Sequence, residues 1–179
     1  MTHDFRANLS TLSELLESER VDDAKKFLSE LNVRQSERIL LVNSHNAAID
    51  AVLNQKGYIG KKQGIDMRFR VNDLSALRLP RVDVTIVLGN LIDNAMEASQ
   101  GEEEPYIDLT IRQEKTFLVI KIINQYSRDF SENLKTTKKK QEFHGIGIRS
   151  VKSIVTKYEG EFSIDKKGTE VVVKILIPN

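Results

Sequence analysis

LGNLIDNAMEAS, residues 88 to 99, carries two asparagines, Asn90 and Asn94, that stand one helical turn apart. Side chains at positions i and i+4 project from the same face of a helix. Carboxamide oxygens on such a face can ligate magnesium, and the amide N–H groups can donate to phosphate. The pair therefore predicts a helix that carries a nucleotide site, although a helix cap or a polar surface stripe would also place asparagines here.

A glycine-containing segment, HGIGIRSVKSIVTKYEG (residues 144 to 160), points in the same direction. Gly145 and Gly147 are predicted to open an amphipathic helix, because apolar residues follow them with helical spacing. Glycine at a helix start lets backbone N–H groups approach an anion at the positive end of the helix dipole. The alternative is an ordinary loop before a helix. His144 is either a phosphate contact or a loop surface residue, and His45 has no predicted role.

Three segments resemble motifs of the GHKL ATPases, a family that includes gyrase and the histidine kinases. NLIDNAMEAS (residues 90 to 99) looks like the N box of the family, GIGI (145 to 148) looks like its second glycine box, and KGTEVVVKILIP (167 to 178) looks like its closing Gly-Thr strand. The resemblance implies a domain that binds ATP with Mg²⁺. It implies magnesium and phosphate contacts for Asn90 and Asn94, and backbone contacts to phosphate from the turn that contains Gly145 and Gly147.

A polar stretch, residues 124 to 143, shows no convincing periodicity and is predicted to be a loop, which the resemblance identifies as the ATP lid. Within its run TTKKK, Lys138 or a neighbouring lysine is a candidate phosphate contact, and the alternative is a solvated charged loop. The Asp-x-Gly-x-Gly box of the family is absent here. Asn124 is therefore our candidate for the adenine contact, and its alternative role is to end a strand.

The N-terminal segment THDFRANLSTLSELLE, residues 2 to 17, resembles the phosphoacceptor helix of the histidine kinases that sense peptide pheromones in Gram-positive quorum sensing. Apolar residues at steps of four, three and four predict a helix with one apolar seam, formed by Phe5, Leu9, Leu12 and Leu16. His3 lies about 200° around this helix from Phe5 and is predicted to be exposed. An exposed imidazole can accept a phosphoryl group, with Asp4 as its base. The alternative is a frayed, inert histidine.

Two positions refine the comparison with the family. In its water-hydrolysing members a glutamate lies one turn before the first N-box asparagine, whereas this chain has Ile86, which cannot accept a proton. This difference favours a kinase, in which the protein supplies the nucleophile. The family commonly has an asparagine four residues after the acceptor histidine, where it helps to hydrolyse the phosphorylated partner. This chain has Ala7 there, so the resemblance does not support a phosphatase activity.

The expected fold class is α+β with two regions. Residues 1–62 are predicted to form the helical dimerisation and histidine phosphotransfer region, in which a hairpin of helices 2–17 and 21–31 pairs with a second copy as a four-helix bundle and a third helix spans 46–62. Residues 63–179 are predicted to form the catalytic ATP-binding domain, an α/β sandwich with a mixed sheet and helices on one face. Its expected elements are a strand from residue 65 to 71, the N-box helix 82–99, and strands 106–112, 117–123, 161–166 and 170–177.

Composition limits the other classes of function. With 179 residues, 30% charged residues and a formal net charge of +1, the chain shows no broad basic character that would indicate direct binding to nucleic acid. The absence of cysteine excludes a disulfide framework and fits a reducing compartment. No apolar run approaches the roughly 20 residues that span a bilayer. The resemblance implies a cytoplasmic portion of a sensor, attached to a membrane only through a region absent from this sequence.

The expected function is that of a histidine autokinase. A homodimer would transfer the γ-phosphoryl group of ATP to His3 and then to an aspartate in the receiver domain of a response regulator. One alternative is a phosphorelay histidine phosphotransferase with a degenerate ATP domain, and another is a non-catalytic dimeric scaffold that binds proteins. A third is a serine kinase of the anti-sigma-factor type, which shares the ATP-binding fold.

Overall fold

The computed structural model describes residues 3–31, 42–127 and 138–179, with the side chains of 3–7, 28–31 and 138–146 outside that description. The chain divides into two units, Met1–Arg38 and Ile39–Asn179. The first unit is helical and the second combines helices with a sheet. In the described part of the chain, no helix combines the length and the apolar character that crossing a bilayer requires.

Two helices of the first unit form a hairpin, α1 (His3–Glu17) and α2 (Val21–Leu31). The connection between them reverses the chain at Glu19, which has a φ of 57°. The backbone N–H of Arg20 donates to the carbonyl of Leu15 at 2.9 Å, and Ala24 is buried. The prediction of two helices here is confirmed, whereas the four-helix bundle stays a prediction.

Among its described residues, the second unit contains a five-stranded mixed sheet and three helices. Its elements in chain order are α3 (Ala47–Lys62), β1 (Asp66–Val71), α4 (Arg81–Ala98), β2 (Tyr106–Glu114), β3 (Phe117–Gln125), α5 (Lys138–Lys157), β4 (Glu161–Lys167) and β5 (Glu170–Pro178). The strand order is β1-β2-β3-β5-β4; β1 runs parallel to β2, and the other neighbours are antiparallel. This arrangement confirms the predicted α+β class.

Alternation along the strands explains why helices cover one face of the sheet. In β3, Leu118, Ile120 and Ile122 are buried, while the residues between them are partly exposed. The buried face joins apolar side chains of α3, α4 and α5 in a single core. Burial of this face accounts for most of the driving force for folding, because the hydrophobic effect scales with the apolar area removed from water.

The position of α3 differs from the sequence-based division of the chain. Ile49 and Leu53 of α3 are 0% exposed and belong to the core that α4 and the sheet form. α3 therefore belongs to the compact unit Ile39–Asn179, and the predicted functional division between residues 62 and 63 stays a prediction. The physical reason is that the apolar face of α3 finds its partners in α4 and β1. The helix itself was predicted correctly, from its Asn46 cap to its end before Gly64, which has a φ of 74°.

The segment that leads into α3 is hydrogen-bonded along its length. The Asn54 side chain exchanges two hydrogen bonds with the backbone of Val42, at 3.0 and 3.1 Å. Ser44 donates from its backbone N–H and its hydroxyl to Asp50 Oδ1, at 2.8 and 2.7 Å, and its carbonyl accepts from the N–H of Leu74 at 2.8 Å. These bonds attach residues 42–46 to both α3 and the loop after β1.

The start of α5 also differs from the prediction. A loop was expected to reach residue 143, with a helix opening at Gly145, but α5 begins at Lys138 and Asn124 lies within β3. Lysine, glutamine and glutamate dominate the start of α5, and their unbranched side chains favour a helix. A glycine inside a helix costs only about 1 kcal/mol, so neither glycine stops it. The remainder of the predicted lid, residues 128–137, lies outside the described residues.

Candidate functional site

Helix α4 positions the paired asparagines. It begins after Pro80, and its sheet-facing side is fully packed, as its predicted apolar positions Val87, Leu88, Leu91, Ile92 and Ala95 are all buried. Asn90 and Asn94 lie on the flank of this face and are partly buried. Ile86, one turn earlier, is exposed. The helix predicted from LGNLIDNAMEAS is therefore present, and its two amides share one side.

The backbone of α5 approaches both amides at Gly147. A Cβ atom added to Gly147 would lie 3.3 Å from Asn90 Oδ1 and 3.3 Å from Asn94 Nδ2. Both distances are tight for a carbon atom, so an added methyl group would require the amides to move by a few tenths of an ångström. Asn90, Asn94 and Gly147, which the family resemblance associated, are thus brought together where α4 and α5 pack against each other.

Asn94 has an unused donor in this place. Its Nδ2 atom is buried and has no hydrogen-bond partner among the described residues. Leaving a buried polar group unpaired costs about 1–3 kcal/mol, so such a group is expected to meet an acceptor when the site is in use. An amide N–H suits a phosphate oxygen, and the adjacent Asn90 Oδ1 suits a hard cation. The residues present therefore fit a magnesium nucleotide.

Two other predicted phosphate contacts, the glycine turn and Lys138, lie in a different secondary structure from the one expected. Gly145 and Gly147 lie inside α5, where backbone N–H groups donate to carbonyls four residues earlier, so they do not form the expected open turn at a helix start. Lys138 is the first residue of α5 instead of a loop residue. The continuous helix has the physical cause given above, the high helix propensity of the residues before Gly145.

Asn124 lies beneath the helices. It follows Leu118, Ile120 and Ile122 on the buried face of β3 and is 3% exposed. Its Nδ2 donates to the Gln125 carbonyl at 3.0 Å, and Ser99 Oγ, at the end of α4, donates to the same carbonyl at 3.3 Å. Asn124 therefore lies on the side of the sheet that α4 covers, close to the end of the helix that carries Asn94.

The remaining predicted residues lie elsewhere or have no described side chain. His3 and Asp4 are the first two residues of α1, in the first unit, and His144 lies in α5. His45, for which no role was predicted, has a φ of 60°, and its Nδ1 is 3.0 Å from Asp73 Oδ2. In the described ranges no group of three or more histidine or carboxylate side chains could hold a metal ion.

A partly buried cation that pairs with α4 was missed by sequence reasoning. Lys56 Nζ of α3 lies 2.5 Å from Asp93 Oδ1 of α4, between the two asparagines in sequence. A signal was present, because Lys56 continues the helical spacing of three apolar residues of α3, namely Ile49, Val52 and Leu53. A lysine at such a position is covered by its neighbours and needs a partner.

Asp83 connects the start of α4 to the end of α5. Its Oδ2 accepts from Lys157 Nζ at 2.8 Å and from the Tyr158 hydroxyl at 2.5 Å. The hydrogen bond from Lys157, followed by the one from Tyr158, holds the pKa of Asp83 below its ordinary value. The two helices are antiparallel, since the start of α4 meets the end of α5 while Asn90 and Asn94 meet Gly147. The Asp83 contacts therefore help to define which residue of α5 faces the amides.

Comparisons with known proteins identify a family and a shared fold. The family described as GHKL domain matches residues 79–178. The nucleotide-free catalytic domain of histidine kinase ThkA is 25% identical with a TM-score of 0.59, over 75% of this chain and 94% of that chain. Acinetobacter baumannii histidine kinase AdeS is 15% identical with a TM-score of 0.54, over 99% of this chain and 98% of that chain. The mycobacterial sensor histidine kinase MprB is 16% identical with a TM-score of 0.55, over 75% of this chain and 95% of that chain. Among curated proteins, none matches the chain.

Replacing Asp83 by asparagine is expected to lower the free energy of unfolding of the second unit near neutral pH. The loss is expected to be smaller in acid. Because the pKa of Asp83 is lower in the folded protein than in the unfolded chain, its contribution is present above the ordinary carboxyl range of about pH 4 and is lost as pH falls through the folded value. Urea unfolding of wild type and Asp83→Asn, near neutral pH and in acid, measures this difference. Asp165→Asn, an exposed carboxylate of β4, is the control. If wild type and Asp83→Asn differ in their free energy of unfolding by the same amount at both pH values, the expectation is contradicted.

Proposed function

The chain belongs to the GHKL domain family, and we propose that it is an ATP-dependent histidine autokinase of a two-component system. The observation that carries the proposal is the buried Asn94 Nδ2, unpaired among the described residues, beside Asn90 Oδ1 and the bare backbone of Gly147. In this arrangement the Asn94 amide can donate to a phosphate oxygen, and Asn90 Oδ1 can ligate a cation. The fold shared with histidine kinase catalytic domains is consistent with it.

In this proposal the residues of α4 and its surroundings hold ATP with Mg²⁺. Asn90 and Asn94 contribute the amide oxygens for the metal, and Asn94 also donates to a phosphate oxygen. Lys138 and the backbone around Gly145 and Gly147 are further phosphate contacts, available once the start of α5 adopts a more open form. Asn124 contacts adenine. Magnesium, when bound, supplies positive charge that offsets the negative charge of the phosphates.

His3 is the proposed phosphoacceptor. An imidazole nitrogen of His3 attacks the γ-phosphorus, the new N–P bond forms as the bond to the bridging oxygen breaks, and ADP leaves with that electron pair. Asp4 accepts the proton from the other ring nitrogen, which maintains the nucleophilicity of the attacking atom. Ile86 lies where a water-activating glutamate would be needed for hydrolysis, and its side chain cannot accept a proton. Phosphoryl transfer then continues to an aspartate in the receiver domain of a response regulator.

The first unit is proposed to form a homodimer. Leu9 and Leu16 of α1 are 48% and 51% exposed, and they lie two turns apart on one side of the helix. A short hairpin with an uncovered apolar stripe gains most of its stability by packing on a second copy, as in a four-helix bundle. The resemblance of the segment around His3 to kinases that sense peptide pheromones supports a place in quorum sensing, in the cytoplasmic portion of a membrane-anchored sensor.

Gly147→Ala is expected to lower the affinity for Mg-ATP about tenfold, because the added methyl group lies between the amides and displaces one charge-assisted hydrogen bond. Gly89→Ala is the matched control: it is also inside a helix, next to Asn90, and its added Cβ meets no atom within 4 Å. Isothermal titration calorimetry measures both. Equal affinity for the two variants and wild type would place the nucleotide elsewhere, and no heat with wild type would favour the phosphotransferase with a degenerate ATP domain.

His3→Gln is expected to abolish the acid-labile label that the chain acquires from γ-labelled ATP, because it removes the attacking nitrogen. His45→Gln is the control, since it removes an exposed histidine of the second unit and should retain the label. Gel autoradiography before and after acid treatment reads both outcomes. Label that persists in His3→Gln would refute the assignment of the acceptor, and label that resists acid would favour the serine kinase. A wild type that binds ATP without becoming labelled would favour the scaffold.

Leu9→Glu combined with Leu16→Glu is expected to convert the dimer into a monomer, because each charge would be buried at the proposed helix contact. Ser10→Glu, an exposed position of α1, adds charge outside the stripe and should leave the dimer intact. Sedimentation equilibrium gives the mass of each form. A wild type that is monomeric at every concentration would refute the dimer.

A further inference from the structure

Lys56 is a cation of α3 that pairs with Asp93, which lies between the two asparagines in the sequence of α4, and it has no assigned role. Its side chain is only 19% exposed, whereas its partner Asp93 is 59% exposed, and the ammonium lies 2.5 Å from the carboxylate. Lysine side chains are mostly exposed, so a lysine that is largely covered is expected to have a partner. The covered member of this ion pair is thus the cation, which has three donors for one observed carboxylate contact.

The position of this pair relates it to the paired amides. Asp93 immediately precedes Asn94 and lies three residues after Asn90, so that all three project from neighbouring parts of the same two turns. Gly147 of α5 lies against the amides from one side, and Lys56 reaches the same stretch of α4 from α3. Gly147 and Lys56 therefore contact the same two turns of α4, one from α5 and the other from α3.

The charge of the expected ligand favours such a group in addition to Mg²⁺ and Lys138. A triphosphate carries several negative charges, and the sequence of α4 contains no lysine and has its only arginine at Arg81, the first residue of the helix. A positive group close to the phosphates must therefore come from a neighbouring element. The flexible four-carbon stem of lysine allows its ammonium to move between acceptors that lie within a few ångströms of each other.

We propose that Lys56 is a phosphate-binding residue of the ATP site and that Asp93 is its resting partner. This inference rests on the proposed function. In the nucleotide-free protein Asp93 holds the ammonium in place beside the amides. When ATP binds, the ammonium exchanges the carboxylate for phosphate oxygens, a charge-assisted contact that the more exposed Asp93 can release to water. Asp93 therefore competes with the nucleotide, while Lys56 binds it.

Calorimetry on the full chain with ATP, ADP and AMP, each with Mg²⁺, tests this assignment. Lys56→Met is expected to weaken ATP binding about tenfold or more, ADP binding less and AMP binding least, because the loss follows the number of phosphates. Lys61→Met, an exposed lysine of the same helix, is the matched control and should change none of the three. Asp93→Asn should retain or increase the affinity for ATP, since it removes the competing acceptor.

The outcomes separate this proposal from the one it rests on. Absence of ATP binding by wild type would overturn the proposed function, and the role of Lys56 with it. ATP binding by wild type that Lys56→Met leaves unchanged would overturn the role of Lys56 alone. Equal losses of ATP affinity in Lys56→Met and Asp93→Asn would also overturn it, because they would indicate an ion pair that only joins α3 to α4. Circular dichroism shows that each variant is folded, and Lys56→Arg, which keeps the charge, should retain part of the affinity.

Discussion

The contact between α4 and α5 at Gly147 is the constraint on which the candidate site depends. Apolar side chains such as Val87 and Val151 bring the two helices together over the sheet, but apolar packing alone tolerates several registers. The absence of a side chain at Gly147 lets the backbone reach Asn90 and Asn94. Polar contacts of Asp83 with the end of α5 favour the same register. Packing and polar contacts thus agree on one arrangement.

Much of the second unit could be predicted from the sequence because its signals are local. Alternation of apolar residues predicted the strands, and the observed β2 and β3 extend only two residues beyond the predicted ends at 112 and 123. The spacing of Asn90 and Asn94 was sufficient to place both amides on one side of α4. Convergence with Gly147 came from the family resemblance, since no local pattern defines the register between two helices.

The features that sequence reasoning missed depend on competition or on distance along the chain. The start of α5 depends on the competition between lysine, glutamine and glutamate, which favour a helix, and the glycines that follow, which disfavour one. The spacing of apolar side chains does not indicate which of the two prevails. The pair of Lys56 and Asp93 joins two helices, so it depends on how α3 packs on α4. The affiliation of α3 with the second unit has the same origin, since an amphipathic helix does not specify which apolar surface it covers.

The hydrogen-bonded segment before α3 has a mechanical consequence. Because Val42 and Ser44 are fastened to Asn54 and Asp50, tension applied along the backbone from the N-terminal direction reaches α3 before it reaches any strand. α3 is also the element that carries Lys56, so a small rotation or sliding of this one helix would change the distance between an ammonium and a carboxylate on its neighbour.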